Sequence, residues 1–444
     1  MAPSTEPEAD PEADPEAGLE ADPEAGRQPT AGTEQPEATE GTPRRPRWPR
    51  RMLRKRPVRV VLALFLVFVT WLGWSLGEAL LAPGNDGAVA RIAEWARDHH
   101  LGPMVTGLET AQYKMNPPRV GGRPTISLDP VGPTPAQSTP AQSTPAQSAS
   151  ASAVASAENR HPQAPAVPPL TLAPLRSPAG DPLPGEGAWR VIGSTDGVPS
   201  VESALLRPDS EHTSYLAGVV SMDQRLVRFQ LHPGTDDPGP DNWGVPPNIP
   251  PEARAGLLAS FNGGFKVAEA QGGFYLNGVT HGTLRGGAGS LVFYKDGHTT
   301  VGSWGDEVSM SPDVVGVRQN LRLIVDHAAV PEDVDHDVES GWGLTIGGKF
   351  FVWRSGVGVT QDGRLIFAYG PALSVRTLAD LLQQAGCVQA MQLDINPAWM
   401  SYNYYQQGAD PQNPTSTKLL PDQERPADRY FEPTSRDFTA VYAR

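Results

Sequence analysis

An uncharged apolar run near the N-terminus most constrains how this chain can fold. Val60 to Gly77 reads VVLALFLVFVTWLGWSLG, eighteen positions without a charged side chain. A helix of about 20 apolar residues is long enough to cross the hydrocarbon core of a bilayer. No globular sequence flanks the run closely enough to bury it. We therefore predict one transmembrane helix over residues 60–82.

The charges before this run predict its orientation. Residues 43–59 form a basic juxtamembrane segment with nine Lys or Arg and no acidic side chain, whereas residues 1–42 repeat PEAD and PEAG units with twelve acidic side chains. Positive charge stays on the cytoplasmic side of a membrane. We expect an acidic, disordered cytoplasmic tail, a single-pass anchor in the cell membrane and an extracellular C-terminal domain. A cleaved signal peptide and a twin-arginine signal at Arg50-Arg51 are the alternatives.

The chain beyond the anchor divides by composition into three parts. Residues 83–115 form a juxtamembrane segment with a short amphipathic helix at Ala88 to His100. Residues 116–185 are a Pro/Ala/Ser-rich linker with three TPAQS repeats. Only residues 186–444 mix large apolar and aromatic side chains densely enough for a sizeable core. They predict one large domain.

The fold class predicted for residues 186–444 is α+β, mostly antiparallel β-sheet with few helices. Polar and glycine-containing turns separate apolar segments that are typical of paired strands. These turns are Asp223-Gln224-Arg225, Asn277-Gly278, Asp296-Gly297, Gly347-Gly348 and Asp362-Gly363. Leu378 to Ala385 predicts one helix, with Ser374 or Thr377 as its N-cap and Gly386 just beyond its end.

Charge and residue types exclude several functions for this domain. Its 30 acidic side chains outnumber 19 basic ones, which argues against a nucleic-acid partner. Cys387 is the single cysteine, so neither an internal disulfide nor a cysteine zinc site is possible. The histidines lack metal-binding spacing. We expect no metal and no cofactor.

Asn262, Gly263 and Gly264 follow the buried run LLASF, where a glycine pair lets the backbone approach an anion. A simple turn cap at Asn262 is an equal alternative. Arg354 ends the strand FFVW before Ser355, and its guanidinium is suited to a phosphate. A solvent-facing arginine is the alternative.

Asp394 and Asn396 end the strand that follows the predicted helix. Two residues apart, they lie on one side if the strand continues, where they suit acid-base chemistry or metal binding. An Asx turn before Pro397 is the competing interpretation. Arg318 and Asn320, in VGVRQNL, are further candidates for lining a site.

Taken together, these segments resemble the phosphodiester glycosidase family. The order of the motifs matches as well as their residues, and we expect a membrane-anchored bacterial, actinobacterial member. The matching features are Asn262 to Phe265, Gly272 to Gly278, Arg354 to Gly358, Asp362-Gly363, the helix ending at Gly386, and Leu393-Asp394. Where the family has G-G-G-S after its aspartate, this chain has Ile395-Asn396-Pro397-Ala398.

The resemblance implies cleavage between an anomeric sugar carbon and a phosphodiester oxygen. It implies catalytic roles for Asp394, Arg354 and Asn262, and substrate contacts from the Gly263 and Gly264 backbone. Ser355 and Asn396, where the chain departs from the family pattern, and Arg318 and Asn320 are further candidates for substrate contacts. Asp394 would activate water or stabilise the oxocarbenium-like centre. Arg354 and the Asn262-Gly263-Gly264 backbone would stabilise the departing phosphate. Many glycosidases use a second carboxylate, for which Glu269, Asp306 and Asp362 are candidates.

We therefore expect an extracytoplasmic hydrolase of sugar-phosphate diesters in cell-envelope or exopolysaccharide glycans. Its partners would be a carbohydrate or sugar-phosphate polymer and, through one helix, the membrane. A catalytically inactive glycan-binding or structural module of the envelope is the alternative, favoured by the missing glycines after Asp394.

Overall fold

A computed structural model of the chain describes residues 56–82, 84, 86–126, 128, 167–335 and 351–444. The predicted acidic tail, most of the basic segment, most of the linker and the Gly347-Gly348 hairpin lie outside the described residues. The chain divides into two units between Val67 and Phe68. Of the first unit, only part of one helix is described.

The helices before the domain follow the apolar pattern of the sequence. Helix α1 spans Arg56–Leu81, and its stretch Pro57–Leu81, with a mean hydropathy of 2.2, is long and apolar enough to cross a membrane. A signal sequence has the same properties. Helix α2 spans Ala88–Ala96, a π-helical turn spans Arg97–Leu101, and α3 spans Gly102–Met115. The predicted amphipathic helix is thus present, and it ends earlier than expected.

The domain is built from antiparallel strands with few helices, as predicted from its turns and alternation. The described strands are β1 Arg190–Thr195, β2 Val198–Leu206, β3 Ala217–Met222, β4 Val227–His232, β5 Leu257–Asn262, β6 Gly273–Leu276, β7 Val279–Gly282, β8 Gly289–Tyr294, β9 Thr299–Ser303, β10 Val314–Gln319, β11 Leu323–Val325, β12 Val352–Thr360, β13 Leu365–Leu373, β14 Cys387–Gln392, β15 Tyr402–Gln406, β16 Thr415–Lys418 and β17 Phe438–Ala443. Helix α4, Val267–Ala270, is a single turn, and α5 spans Val375–Gln384.

These strands form three sheets. A seven-stranded sheet has the order β1-β2-β3-β13-β12-β14-β11, and two five-stranded sheets have the orders β7-β6-β10-β8-β9 and β16-β15-β5-β17-β4. Phe367, Phe293 and Phe261, one from each sheet in that order, are buried in one shared hydrophobic core. Two leucines of the predicted linker, Leu128 and Leu175, are also buried in the domain.

Helix α5 covers the other face of the seven-stranded sheet. Leu378 and Leu382 pack with Ile366 and Ala390 in a second core. Ser374 is the N-cap, because its side chain accepts the Thr377 N–H while the Thr377 hydroxyl accepts the Ser374 N–H. Gly386 follows the helix with a φ of 94°. This helix matches its prediction from the sequence, with a start three residues earlier.

Most predicted hairpins are present, and one prediction is wrong. β6 pairs with β7, β8 with β9 and β12 with β13, across the predicted glycine turns. The strands on either side of Asp223 do not pair, because β3 lies between β2 and β13 while β4 pairs with β17. β3 and β4 thus belong to different sheets, and the turn at Asp223 connects these two sheets.

Candidate active site

Asp394 lies just beyond the end of β14, where the chain after β5 and the residue after β10 meet the end of that strand. The side-chain amide of Asn320 donates to the carbonyl oxygens of Gln392, at 2.7 Å, and Leu393, at 2.8 Å. Its oxygen accepts the Phe265 N–H at 3.2 Å. Asn320 therefore connects the chain after β5 to the end of β14, and it acts on the position of Asp394 rather than lining an open cleft.

A short hydrogen-bonded chain joins Asn262 to Asp394 through Ser355. The Asn262 amide donates to the Ser355 hydroxyl at 2.9 Å, and this hydroxyl also accepts the Asp394 N–H at 3.1 Å. The Asn262 oxygen accepts the Ser401 N–H at 3.2 Å. All three predicted site residues are buried. The structure thus brings Asn262, Ser355 and Asp394 together.

The loop after Asp394 forms two successive Asx turns. Asp394 Oδ1 accepts the N–H groups of Ile395 and Asn396, at 2.7 and 2.9 Å. Asn396 Oδ1 in turn accepts the Ala398 N–H at 3.0 Å. The Asn396 side chain is occupied by its own turn, which is the alternative that the sequence left open.

Burial makes the Asp394 carboxyl a weaker acid than an exposed aspartate. Burial raises its pKa to about 6, although the Arg436 guanidinium and the two backbone N–H groups act in the opposite direction. The charge of Glu269, an exposed residue of α4, raises this pKa further. Of the three candidates for a second carboxylate, Glu269 is the one whose charge acts on Asp394. Asp306 bonds Ser303, and Asp362 bonds Arg364 in its turn.

Gly263 and Gly264 allow the chain after β5 to pack on a buried ion pair. Arg318 donates to both oxygens of Asp437, at 2.9 and 3.2 Å, and both side chains are buried. A Cβ atom at Gly263 would collide with the Asp437 carboxylate, and one at Gly264 would lie 3.0 Å from Asn320 Oδ1. The glycine pair is thus required by packing, and Arg318 lies beneath the loop as a structural partner of Asp437.

Arg354 is fully buried, and its described hydrogen bonds go to other residues than the Asn262 and Asp394 that Ser355 contacts. Its guanidinium donates to the Leu373 carbonyl oxygen at 2.9 Å and to Gln392 Oε1 at 2.8 Å. Neighbouring residues of a strand point to opposite faces, so Arg354 and Ser355 face different ways on β12. The catalytic role of Arg354 stays a prediction.

Arg436, which the sequence analysis did not select, supplies the cation closest to Asp394 among the described contacts. Its Nη2 lies 3.9 Å from Asp394 Oδ2 and donates to the Gly264 carbonyl oxygen at 3.2 Å. Burial lowers its pKa, but the surrounding carboxylates, Asp394 first among them, raise it above the ordinary value overall. Arg436 precedes β17 in a loop that carries no strand-end glycine motif, so no sequence signal distinguished it.

Two more arginines surround Trp399 beside this position. The guanidinium carbons of Arg425, Arg436 and Arg429 lie 5.1, 5.5 and 5.9 Å from the centre of the indole ring. At such distances the ring face attracts a cation. Trp399 is itself buried. The three arginines around its ring form a cationic cluster next to Asp394.

Helix α2 places Glu94 on this cationic cluster. Glu94 is buried, and its carboxylate lies 3.4 Å from Arg436 Nη1 and forms an ion pair with Lys266. Lys266 also bonds Asp98 at 2.9 Å. Burial lowers the pKa of Lys266, but Glu94 and Asp98 raise it overall. The juxtamembrane segment therefore covers the site, and Asp394 is only 4% exposed.

One group of side chains in the described part of the chain has the spacing of metal ligands. The ligand atoms of Glu307, Asp326 and His327 lie within 4.8 Å of one another on the exposed surface. None of these residues belongs to the cluster around Asp394. The hydrogen-bonded groups of that cluster are asparagine, serine and cationic side chains, which suit anions.

The sequence between β5 and Asp394 matches a known family. Residues 255–394 match the family model described as phosphodiester glycosidase. This range contains Asn262, Gly263, Gly264, Ser355 and ends at Asp394, so the resemblance predicted from the motifs is confirmed. The match supports a hydrolase that acts on phosphodiester glycosides, and hence a carbohydrate-type substrate.

Comparisons of whole chains and structures give more distant likenesses. No curated protein matches the chain. The catalytic domain of zebrafish N-acetylglucosamine-1-phosphodiester alpha-N-acetylglucosaminidase, auto-inhibited by pro-peptide, is 14% identical with a TM-score of 0.36, covering 58% of this chain and 88% of that one. A Burkholderia pseudomallei protein described as exported is 12% identical with a TM-score of 0.32, covering 51% and 74%.

Proposed function

We propose, from the phosphodiester glycosidase domain at residues 255–394, that this chain is a membrane-anchored extracytoplasmic hydrolase. Its substrates would be sugar-1-phosphodiesters of cell-envelope or exopolysaccharide glycans. The observation that carries the proposal is the buried carboxyl of Asp394 at 3.9 Å from the Arg436 guanidinium. A carboxylate and a fixed cation at that spacing suit a reaction that develops positive charge on a sugar and negative charge on a leaving phosphate.

The proposed reaction breaks the bond between the anomeric carbon and the phosphodiester oxygen. Water supplies the oxygen that becomes the anomeric hydroxyl, and the bonding electrons leave with the phosphate, which becomes a phosphomonoester. The ionised Asp394 stabilises the oxocarbenium-like centre or activates the water. Arg436 and Lys266 stabilise the departing charge.

The surrounding residues hold Asp394 in place. Asn262 acts through the Ser355 hydroxyl, and Asn320 acts through the backbone at Gln392 and Leu393, so both are positioning residues in this proposal. Glu269 is proposed as the second carboxylate, because its charge acts on the pKa of Asp394. The anchor is α1, and the nine basic side chains of the preceding segment support a cytoplasmic N-terminus.

Hydrolysis in ¹⁸O-labelled water tests which bond breaks. We expect the full chain in detergent to release free sugar from a sugar-1-phosphodiester, with the label on the anomeric carbon and none on the phosphate. The Glu94→Gln variant, in which Arg436 has lost a charged partner, should show the same labelling at a higher rate. Label on the phosphate would establish a phosphodiesterase and contradict the glycosidase proposal.

The pH dependence of kcat/KM tests the protonation state of Asp394. Because the ionised form acts, kcat/KM should rise about tenfold per pH unit below a midpoint of about 6 and level off above it. Glu269→Gln should move this midpoint to lower pH, because the Glu269 charge raises the pKa of Asp394. Glu252→Gln, a change at an exposed glutamate elsewhere, is the matched control. A rate that falls as pH rises through 6 would assign Asp394 the role of an acid.

A further inference from the structure

Two cations of the candidate site are paired with carboxylates that come from the juxtamembrane segment. Arg436 lies 3.4 Å from Glu94, and Arg425 Nη2 lies 3.0 Å from Asp86 Oδ1. Both arginines belong to the loops that precede β17, and all four side chains are at most about a tenth exposed. Each carboxylate therefore occupies a built, nearly solvent-free anion position.

The first position lies directly beside Asp394. Arg436 contacts Glu94 through Nη1 and Asp394 through Nη2, so the two carboxylates share one guanidinium. Lys266 contacts the other oxygen of Glu94. The scissile phosphate proposed above requires this place, since it must lie next to Asp394 and against a cation. Glu94 and that phosphate exclude each other.

The second position is centred on Arg425. Asp86 contacts Arg425 with one carboxylate oxygen and accepts the Ser435 hydroxyl with the other. Burial and the neighbouring Arg429 charge lower the pKa of Arg425, and the Asp86 charge acts in the opposite direction. Both oxygens of Asp86 are thus bound by groups of the domain.

The two positions adjoin each other. Arg425 and Arg436 both lie against the Trp399 ring, at 5.1 and 5.5 Å from its centre. Ser435, which binds Asp86, is the neighbour of Arg436 in the chain. A ligand that spans both positions therefore needs two anionic groups separated by a short linker.

The chemistry of the occupants indicates the ligand. A carboxylate and an internal phosphodiester each carry one negative charge and present two acceptor oxygens, and arginine binds both kinds of group. We propose that the site binds two successive phosphodiester groups of an anionic glycan chain, one at Arg436 and Lys266 and the next at Arg425. In this proposal Glu94 and Asp86 hold the same two positions until the substrate displaces them.

The inference rests on the proposed function for the identity of the first position. It adds that the substrate is a polymer linked through repeated phosphates, in place of a single sugar-phosphate diester. It also assigns a second phosphate position to Arg425, which lies beyond the residues that match the family.

Equilibrium binding of two non-glycosidic probes tests the inference separately from catalysis. The probes are glycerophosphoglycerol, with one phosphodiester, and its homologue with three phosphodiesters; neither has an anomeric carbon to cleave. In the full-length Asp86→Asn/Glu94→Gln chain, we expect the longer probe to bind at least about tenfold more tightly. Adding Arg425→Gln should remove this preference and leave the affinity for the one-phosphate probe within about twofold.

Arg376→Gln, which removes a surface arginine paired with Asp335, is the matched control and should keep the preference. If the double variant fails to fold, Asp86→Asn alone, which removes the negative charge from the Arg425 position, takes its place. Equal affinities for the two probes, or a preference that survives Arg425→Gln, would overturn the proposal. Tight binding of the longer probe without hydrolysis of any sugar-1-phosphodiester would overturn the proposed function and leave the two-phosphate site standing.

Discussion

Replacing Asp394 by asparagine should lower kcat/KM for a sugar-1-phosphodiester by about 10³-fold, as expected for loss of an essential carboxylate. Asparagine keeps the shape of the side chain and the oxygen that accepts the N–H groups of Ile395 and Asn396. What it loses is the negative charge that, in the proposed reaction, faces the anomeric carbon. The measurement is release of free sugar under saturating and limiting substrate, in the Glu94→Gln background so that the site is accessible.

The stability of the Asp394→Asn variant separates chemistry from folding. The pKa of Asp394 is about 6 in the folded chain, above the ordinary 3.8, so the folded state binds more protons between these values. The free energy of unfolding therefore falls as pH rises through that window, by up to about 3 kcal/mol in total. The asparagine variant has no carboxyl to ionise, so its free energy of unfolding does not fall in this way, and it should be at least as stable as the parent at pH 7.

Asp410→Asn is the matched control for this experiment. Asp410 forms the same kind of turn, accepting the Gln412 N–H at 2.9 Å, but lies on an exposed loop. The activity of the Asp410→Asn variant should equal that of the parent chain. An Asp394→Asn variant that retained full activity would exclude Asp394 from the reaction, and binding without any hydrolysis in the parent would favour the inactive glycan-binding module.

Replacing Arg436 by glutamine should lower kcat by about 10²-fold, the size of effect expected when one donor to a developing anion is removed. The guanidinium is the cation closest to Asp394 among the described contacts and also holds the Gly264 carbonyl oxygen. It faces the position of the departing phosphate in the proposed reaction. The loss should be smaller for Arg436→Lys, which keeps the charge.

The pH profile distinguishes this role from a general loss of structure. The Arg436 charge lowers the pKa of Asp394, so its removal should move the midpoint of kcat/KM above 6. Arg254→Gln removes another buried arginine, which bonds the Ile249 carbonyl oxygen at 3.0 Å. This control measures the cost of losing a buried guanidinium and should leave the midpoint unchanged. A midpoint that also stays unchanged in Arg436→Gln would argue against the contact with Asp394.

The sequence was informative where a local pattern and the final contact coincide. Asn262 and Asp394 are candidates because each ends a buried strand. The pairing of β12 with β14 places Ser355 beside Asp394, and Asn262, at the end of a strand in another sheet, donates to the Ser355 hydroxyl. The sequence predicts helix α5 with an error of three residues at its start and one at its end, because its cap, apolar face and terminal glycine are all local signals.

Contacts between segments distant in the sequence carry no local sequence signal. Arg436 lies 42 positions beyond Asp394 and precedes β17 in a polar loop, where an arginine is ordinary. Its importance comes from the pairing of β17 with β5, which delivers it to the chain after Asn262. Glu94 likewise reaches the site only through the packing of α2, and a single acidic residue on a short helix carries no such information.

The glycine pair after β5 shows that one local pattern can have two physical causes. The pattern predicts close approach to a ligand, and in the structure Asp437 and Asn320 lie against Gly263 and Gly264, so a substrate contact there stays a prediction. A sequence shows that a backbone must pass close to something, but not whether that neighbour is a substrate or the protein itself.

The side chain of Arg91 has a consequence for how substrates of different length compete for this site. Its guanidinium donates to the carbonyl oxygens of Leu80, Ala82, Gly84 and Asp86, and so ties the end of α1 to the turn that leads into α2. In the proposed displacement, Glu94 and Asp86 belong to one such tied segment, and we expect them to leave together. A ligand with one phosphate must displace both carboxylates while replacing only one, whereas a polymer replaces both, so hydrolysis should show a threshold in chain length.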